Sequence, residues 1–272
     1  MHVIEANGAR IPAIGLGTWD LREEPCAKIV AHALKVGYRH IDTAQMYGNE
    51  AAVAAGLRAS GVARDEVFLT SKIWPDHFRA DDFARAAAER AEVLGGPVDL
   101  LLLHWPNAAV PLSETVAALV KARRAGLARH IGVSNFSMRL VDAAVALSDE
   151  PLVCNQVEYH PLLDQTKLIA RCRGHGMAVT AYRPIARGSL GDEPVVLTIA
   201  RHHGRTPTQV ALRWLIQQDG VAAIPRSSQI EHVEENIAID DFALGSDEMA
   251  AISALTARNR RFVNTAFSPV WD

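Results

Sequence analysis

The order of apolar runs predicts an α/β protein, a (β/α)8 barrel with eight parallel strands inside and helices outside. Three observations lead there. Eight short apolar runs recur along the chain: IGLGT, HID, VFLTSK, LLLHW, HIGVSN, NQVE, AVTAY and VAAIPRS. Stretches with helical spacing separate most of them, and strands alternating with helices build a parallel sheet. The chain has 272 residues, close to the roughly 250 of one such barrel, so residues 1–272 are expected to form a single domain.

Each element follows in turn. Residues 3–5 and 10–12 flank Asn7-Gly8, a pair suited to a tight primed turn, and predict an N-terminal β-hairpin that plugs one end of the barrel. The first barrel strand is 14–17. Residues 24–36 place Ile29, Val30, Ala33 and Leu34 at helical spacing, and Gly37 ends that helix. Strand two is 41–42, followed by a helix over 49–59. Strand three is 67–72, with a helix over 80–94 closed by Gly95-Gly96. Strand four is 99–104 and its helix 111–125; strand five is 130–134 and its helix 138–147. Strands six and seven are 154–157 and 178–181, separated by a helix over 165–175. The alternation then breaks. Gly188, Gly191 and Pro194 mark a loop, and two helices, 195–203 and 207–218, precede strand eight at 222–224. Helices over 230–237 and 246–256 and an irregular tail complete the chain. A doubly wound open sheet is the other arrangement considered. Against it, Gly15-Leu16-Gly17-Thr18 lacks the third glycine of the dinucleotide fingerprint and the acidic residue that should follow it.

Composition narrows the function. A net charge of −3 and a pI near 6.4 lack the basic excess that draws a protein to nucleic acid or a membrane surface. The apolar runs are far shorter than the ~20 residues of a membrane span. Met1-His2-Val3-Ile4-Glu5 shows no basic segment leading into an apolar one, so no secretory leader is expected and the cytoplasm is the expected location. Cys26, Cys154 and Cys172 are odd in number and far apart, which suits neither a disulfide framework nor a Cys-x-x-Cys site. Asn135-Phe136-Ser137 matches the glycosylation pattern, which carries no weight without a secretory route. The histidines show no paired metal spacing; His202-His203 fall in a surface helix and read as solvated, so no metal is expected.

Asp42, Lys72 and His104 stand at the ends of strands two, three and four, and Tyr47 lies just beyond Asp42. A barrel gathers its strand ends at one mouth. A free phenol has a pKa of roughly 10, too high for an efficient proton donor near neutrality, and a neighbouring ammonium lowers it. Lys72 supplies that ammonium in this reading, Asp42 holds it, and His104 hydrogen-bonds a substrate carbonyl. The set suits protonation of an alkoxide during carbonyl reduction. Singly, each residue has a plainer explanation: Asp42 as a helix cap, Lys72 as a solvated strand end, Tyr47 as a rim aromatic, His104 as a structural histidine.

Residues 37–50 (GYRHIDTAQMYGNE), 70–74 (TSKIW), 99–106 (DLLLLHWP), 132–136 (GVSNF), 155–158 (NQVE) and 224–227 (IPRS) resemble, in order, the signatures of the aldo-keto reductases. The short length and the ending SPVWD resemble most the bacterial 2,5-diketo-D-gluconate reductases of the B type. The resemblance implies a TIM barrel with extra helices after strand seven and at the C-terminus. It implies Tyr47 as general acid, Lys72 and Asp42 as its helpers and His104 as the carbonyl-orienting residue. Ser134, Asn135 and Gln156 match the residues that hold the nicotinamide carboxamide, and Tyr182 the aromatic that stacks on its ring. Gly17 and Thr18 fall on the cofactor side of strand one. Arg226, Ser227, His232, Glu235 and Asn236 match the site for the adenosine 2′-phosphate and adenine. Two positions depart from the pattern. Arg183 follows the stacking tyrosine where many members carry a small hydroxyl residue, and bears on the pyrophosphate. His232 stands where many NADPH-specific members have arginine, and a neutral imidazole lacks the charged fork that suits phosphate.

The implied activity is NADPH-dependent reduction of aldehydes and ketones, α-dicarbonyls and keto sugars such as 2,5-diketo-D-gluconate among them, with NADH accepted less readily. Trp19, Trp74, Trp105 and Trp271 are expected to wall the substrate pocket, core packing being the plainer role of each. The partner is a small carbonyl compound, with no nucleic acid and no membrane, and the chain is expected to be a monomer. An alcohol dehydrogenase running in reverse, or a non-catalytic nicotinamide-binding subunit, are the alternative readings; the intact Asp42, Tyr47, Lys72 and His104 set argues against the second.

Overall fold

The computed structural model describes residues 2–272. A two-stranded antiparallel hairpin comes first, β1 (Val3–Ala6) and β2 (Ala9–Pro12), with Ala6 opposite Ala9. Asn7 and Gly8 between them both have positive φ, 45° and 86°, which the primed turn requires. The amide of Asn7 donates to the carbonyls of Leu152 and His175 at 2.7 and 2.9 Å, which fixes the hairpin to the N-terminal end of the barrel.

Eight strands form one parallel sheet: β3 (Leu16–Gly17), β4 (His40–Asp42), β5 (Phe68–Ile73), β6 (Val98–Leu103), β7 (Ala128–Ser134), β8 (Leu152–Glu158), β9 (Ala178–Tyr182) and β10 (Val221–Ala223), each paired with its neighbours in chain order. The sheet closes between its two ends. Ile14 bridges Ala223, the Gly15 amide donates to Ala223 O and the Gly17 amide to Pro225 O, both at 2.9 Å. Every residue of β5, β6 and β8 is buried, as expected of parallel strands covered on both faces. β3 is shorter than its sequence suggests because that edge pairs partly through the isolated Ile14 bridge.

The helices wrap the outside: α1 (Glu23–Lys35), α2 (Glu50–Ser60), α3 (Ala80–Leu94), α4 (Leu112–Arg124), α5 (Met138–Leu147), α6 (Thr166–Gly174), α7 (Pro194–His203), α8 (Pro207–Ile216), α9 (Ile230–Ile237) and α10 (Ser246–Ala254). α1 and α2 touch at Gly56, where an added Cβ would lie 2.7 Å from both Ala27 O and the Val30 side chain. α8 begins with a reciprocal cap between Thr206 and Gln209 and has Pro207 in its first turn. The two consecutive helices predicted after strand seven are α7 and α8. Beyond α10 the tail runs back across the C-terminal mouth. Among the described residues no helix is long and apolar enough to cross a membrane.

Candidate active site

Asp42 ends β4, Lys72 is the last residue but one of β5, and His104 directly follows β6. Tyr47 sits in a single tight turn, Gln45–Tyr47, after β4. That turn is held by Asn49, whose amide donates to Thr18 O and Leu21 O at 2.8 and 2.9 Å and whose Oδ1 accepts from the Thr43 hydroxyl at 2.8 Å. Asp42 is not a helix cap. Its Oδ1 accepts from Lys72 Nζ at 2.5 Å and its Oδ2 from the Gln156 amide at 2.6 Å.

Lys72 is wholly buried and lies below the cavity rather than in its wall. Its ammonium also reaches Thr43 O at 2.7 Å and the Tyr47 hydroxyl at 3.3 Å. Burial works against this charge, but the Asp42 carboxylate and the Tyr47 oxygen outweigh it and hold Lys72 above the usual lysine range. Tyr47 departs from expectation. Burial pushes its phenol up, and the pull of Lys72 in the other direction does not cancel that push. The free site therefore holds a phenol, with its proton in place. Burial, and then the charge of Lys72, keep His104 well below the usual histidine range, so its imidazole is neutral. His104 Nδ1 is buried with no hydrogen-bond partner.

Above this set opens a cavity of about 610 Å³, within the range of small-molecule sites. Gly17, Trp19, Asp42, Tyr47, Trp74, His104, Trp105, Ser134, Asn135, Gln156, Tyr182, Arg183 and Arg226 all line it. Trp19 packs edge-on to Tyr47 at 5.0 Å and Trp74 to His104 at 5.2 Å between ring centres. On one side Ser134 Oγ donates to Gln156 O at 2.8 Å, the Asn135 amide to His104 O at 3.0 Å, and the Tyr182 hydroxyl to Asn135 Oδ1 at 2.8 Å. These hydroxyl and amide groups, beside one aromatic ring, match a nicotinamide carboxamide and its ring. Arg183, Ala186 and Arg187 have positive φ of 52°, 48° and 55°, a strained turn for side-chain-bearing residues. Arg183 Nη1 is buried without a partner, a cationic donor placed where a cofactor phosphate oxygen would satisfy it. The residues present thus fit a nicotinamide dinucleotide.

Other expected positions fall outside the cavity wall. Thr18 is buried and its hydroxyl donates to Asp42 O at 2.9 Å. Ser227 is buried and tied to Gln229, His232 is exposed, Glu235 accepts from the Thr206 hydroxyl, and Asn236 is buried on α9. Arg226 does line the cavity, but its Nε and Nη2 donate to Trp19 O and Asp20 O at 3.1 and 3.2 Å. Trp271, expected in the substrate wall, does not line the cavity. It packs behind Trp105 at 6.3 Å and under Arg261 at 3.8 Å, and Phe267 takes the wall position instead, between Trp74 at 5.7 Å and Trp105 at 5.3 Å. An irregular tail has no period to show which aromatic turns inward.

The tail is fastened from inside. The buried Glu158 carboxylate accepts the Phe262 and Val263 amides, each at 2.7 Å, and His160 Nε2 contacts it at 3.0 Å. Val263, Thr265 and Phe267 then line the cavity. Glu158 belongs to the NQVE segment, yet nothing in that segment points to residues a hundred positions away.

The family model described as Aldo/keto reductase matches residues 13–257. Methylglyoxal reductase DkgB of Escherichia coli O157:H7 is 38% identical over 266 residues, covering 96% of this chain and 99% of that protein. A crystal structure of a protein provisionally named a 2,5-diketo-D-gluconic acid reductase B superposes with a TM-score of 0.98 at 46% identity, covering 100% of this chain and 98% of its own. A Bombyx mori aldo-keto reductase in complex with NADP superposes with a TM-score of 0.89 at 35% identity, covering 97% and 95%.

Proposed function

Because the chain belongs to the aldo/keto reductase family, and is thereby an NAD(P)H-dependent oxidoreductase, we propose that it prefers NADPH and reduces small α-dicarbonyls and keto sugars. The observation that carries this reading is the line from Asp42 through Lys72 to the Tyr47 hydroxyl, which ends at the cavity wall beside a neutral His104. A bound reduced nicotinamide supplies the hydride. Ser134, Asn135 and Gln156 would hold its carboxamide, and Tyr182 would face its ring. The carbonyl oxygen lies between Tyr47 and His104. His104 Nδ1 is buried in the protein, so Nε2 is the nitrogen that donates to this oxygen. As negative charge grows on the oxygen, Tyr47 gives up its proton to it, and Lys72 stabilises the phenolate left behind. Aromatic walls at Trp19, Trp74, Trp105 and Phe267 exclude water and suit a short, compact substrate. Methylglyoxal is the substrate in the name of the Escherichia coli relative, and it has that size.

NADPH preference rests on Arg226. Two of its five N–H groups hold the loop at Trp19 and Asp20, which fixes the guanidinium at the cavity edge with donors to spare for a 2′-phosphate. The exposed His232 adds less than an arginine would. The test is oxidation of NADPH and of NADH by the purified chain against methylglyoxal, larger α-dicarbonyls and 2,5-diketo-D-gluconate. Faster turnover with NADPH on at least one of these supports the reading. Turnover confined to NADH, or to simple alcohols in the oxidative direction, contradicts it.

A further inference from the structure

α7 ends on two adjacent histidines, and α10 begins two residues before a glutamate of its first turn. The fold brings them together. His202 Nδ1 lies 2.9 Å from Glu248 Oε1, and His203 Nε2 lies 2.9 Å from Oε2 and 3.0 Å from Oε1. The three ligand atoms are all within 4.8 Å of one another, and this is the one such group of three among the described residues. None of the three lines the cavity described above.

The cluster is organised beyond chance proximity. Glu248 is fixed by the Gly245 amide, which donates to Oε2 at 2.8 Å. Against a burial effect that raises it, the two histidines and this amide bring the Glu248 carboxyl down to about 2, so the carboxylate is charged at any ordinary pH. His203 is packed against Phe242, ring centres 5.4 Å apart. Side-chain exposure is 17% for His203, 19% for Glu248 and 73% for His202, so two ligands are held and the third leaves the cluster open to solvent. The neighbouring cation Arg205 is paired with Asp241 and lies over Phe242, away from the Glu248 carboxylate in its contacts. One carboxylate and two imidazoles supply the ligand atoms of the cluster. Ligand atoms about 2.1 Å from a tetrahedral zinc stand roughly 3.4 Å apart, so the two His–Glu248 separations of 2.9 Å need only a small adjustment for the side chains to share an ion. Imidazole with one carboxylate favours zinc, nickel and copper over magnesium or calcium.

We propose that the junction of α7 and α10 is a surface site for a divalent transition-metal ion, bound by His202 Nδ1, His203 Nε2 and the Glu248 carboxylate. Water completes the coordination. The ion replaces the hydrogen bonds that now join the two helices, and its effect is on stability rather than on carbonyl reduction.

The test uses the full chain without a histidine tag, freed of metal by a chelator and titrated calorimetrically with Zn²⁺. One equivalent should bind, and zinc should raise the thermal midpoint. His203→Ala and Glu248→Gln should each weaken binding about tenfold or more and abolish the thermal shift. Glu248→Gln also disturbs the start of α10, so His202→Ala serves as the third variant. Its side chain is mostly exposed, and it should weaken zinc binding while leaving the turnover unchanged and lowering the metal-free midpoint only slightly, through the one exposed hydrogen bond it gives up. Absence of saturable binding, or undiminished affinity in His202→Ala and His203→Ala, overturns the site.

Discussion

Lys72 keeps its charge in the barrel wall because Asp42 lies 2.5 Å away, and that charge is what makes Tyr47 usable. The phenol of Tyr47 is raised by burial and partly restored by the ammonium. In the reverse reaction, alcohol oxidation, Tyr47 must first be a phenolate, so the rate rises as pH climbs through its pKa. Lys72→Met removes the cation, the phenol becomes a weaker acid, and the rising limb should move to higher pH with a lower rate at neutrality. A limb that stays in place would reduce Lys72 to a structural ion pair. Arg226 stands at the cavity edge with N–H groups beyond those that hold Trp19 O and Asp20 O. Charge-assisted hydrogen bonds are worth roughly 1.5–3 kcal/mol, and about 1.4 kcal/mol is tenfold. Arg226→Gly should therefore weaken NADPH binding about 10- to 100-fold and NADH binding little, as read by quenching of protein fluorescence. Equal losses would mean that Arg226 serves mainly to hold Trp19 and Asp20.

Two elements carry strain or charge that a single substitution exposes. The tail depends on Glu158. Burial alone would raise this carboxyl, but His160 and the Phe262 and Val263 amides bring it below the ordinary glutamate range. A group lowered in the folded state contributes stability that is present above its unfolded pKa and is lost as pH falls through the folded value. Wild-type thermal stability should thus decline below about pH 4.3, the unfolded glutamate value. Glu158→Gln should start lower, lack that acid-dependent part and show a raised KM, because Val263, Thr265 and Phe267 lose their anchor. An identical acid profile in variant and wild type would remove Glu158 from the tail's attachment. The pair α1 and α2 offers a contrast in sign. Alanine is the better helix former by roughly 0.5–1 kcal/mol, yet at Gly56 its Cβ would meet Ala27 O and Val30 at 2.7 Å. Gly56→Ala should destabilise by about 1–3 kcal/mol in urea unfolding; a gain in stability would show that the two helices separate freely.

At the scale of the molecule, the sequence was most informative where the fold repeats. A parallel barrel turns the chain order of strands into their order around the ring, so Asp42, Lys72 and His104 could be placed at one mouth from three apolar runs. Ser134, Gln156 and Tyr182 were singled out only by the resemblance to the family's signatures, and the barrel brings their strand ends to the same mouth. Legibility failed where the repeat stops. Nothing periodic marks the tail, so Trp271 was expected in the wall that Phe267 occupies. His202 and His203 read as solvated because their partner Glu248 lies 45 residues beyond His203, across two helices and a strand where the alternation has broken. The direction of the Tyr47 shift was hidden for another reason, since burial is a property of the whole fold and not of neighbouring residues. The central claim is that Tyr47 donates the proton in NADPH-linked carbonyl reduction. Its most direct test compares wild type and Tyr47→Phe for NADPH binding and for single-turnover reduction of methylglyoxal. NADPH affinity should be unchanged and the reduction step slowed about 10²- to 10⁴-fold; reduction by the variant at a rate near wild type would mean that another group supplies the proton.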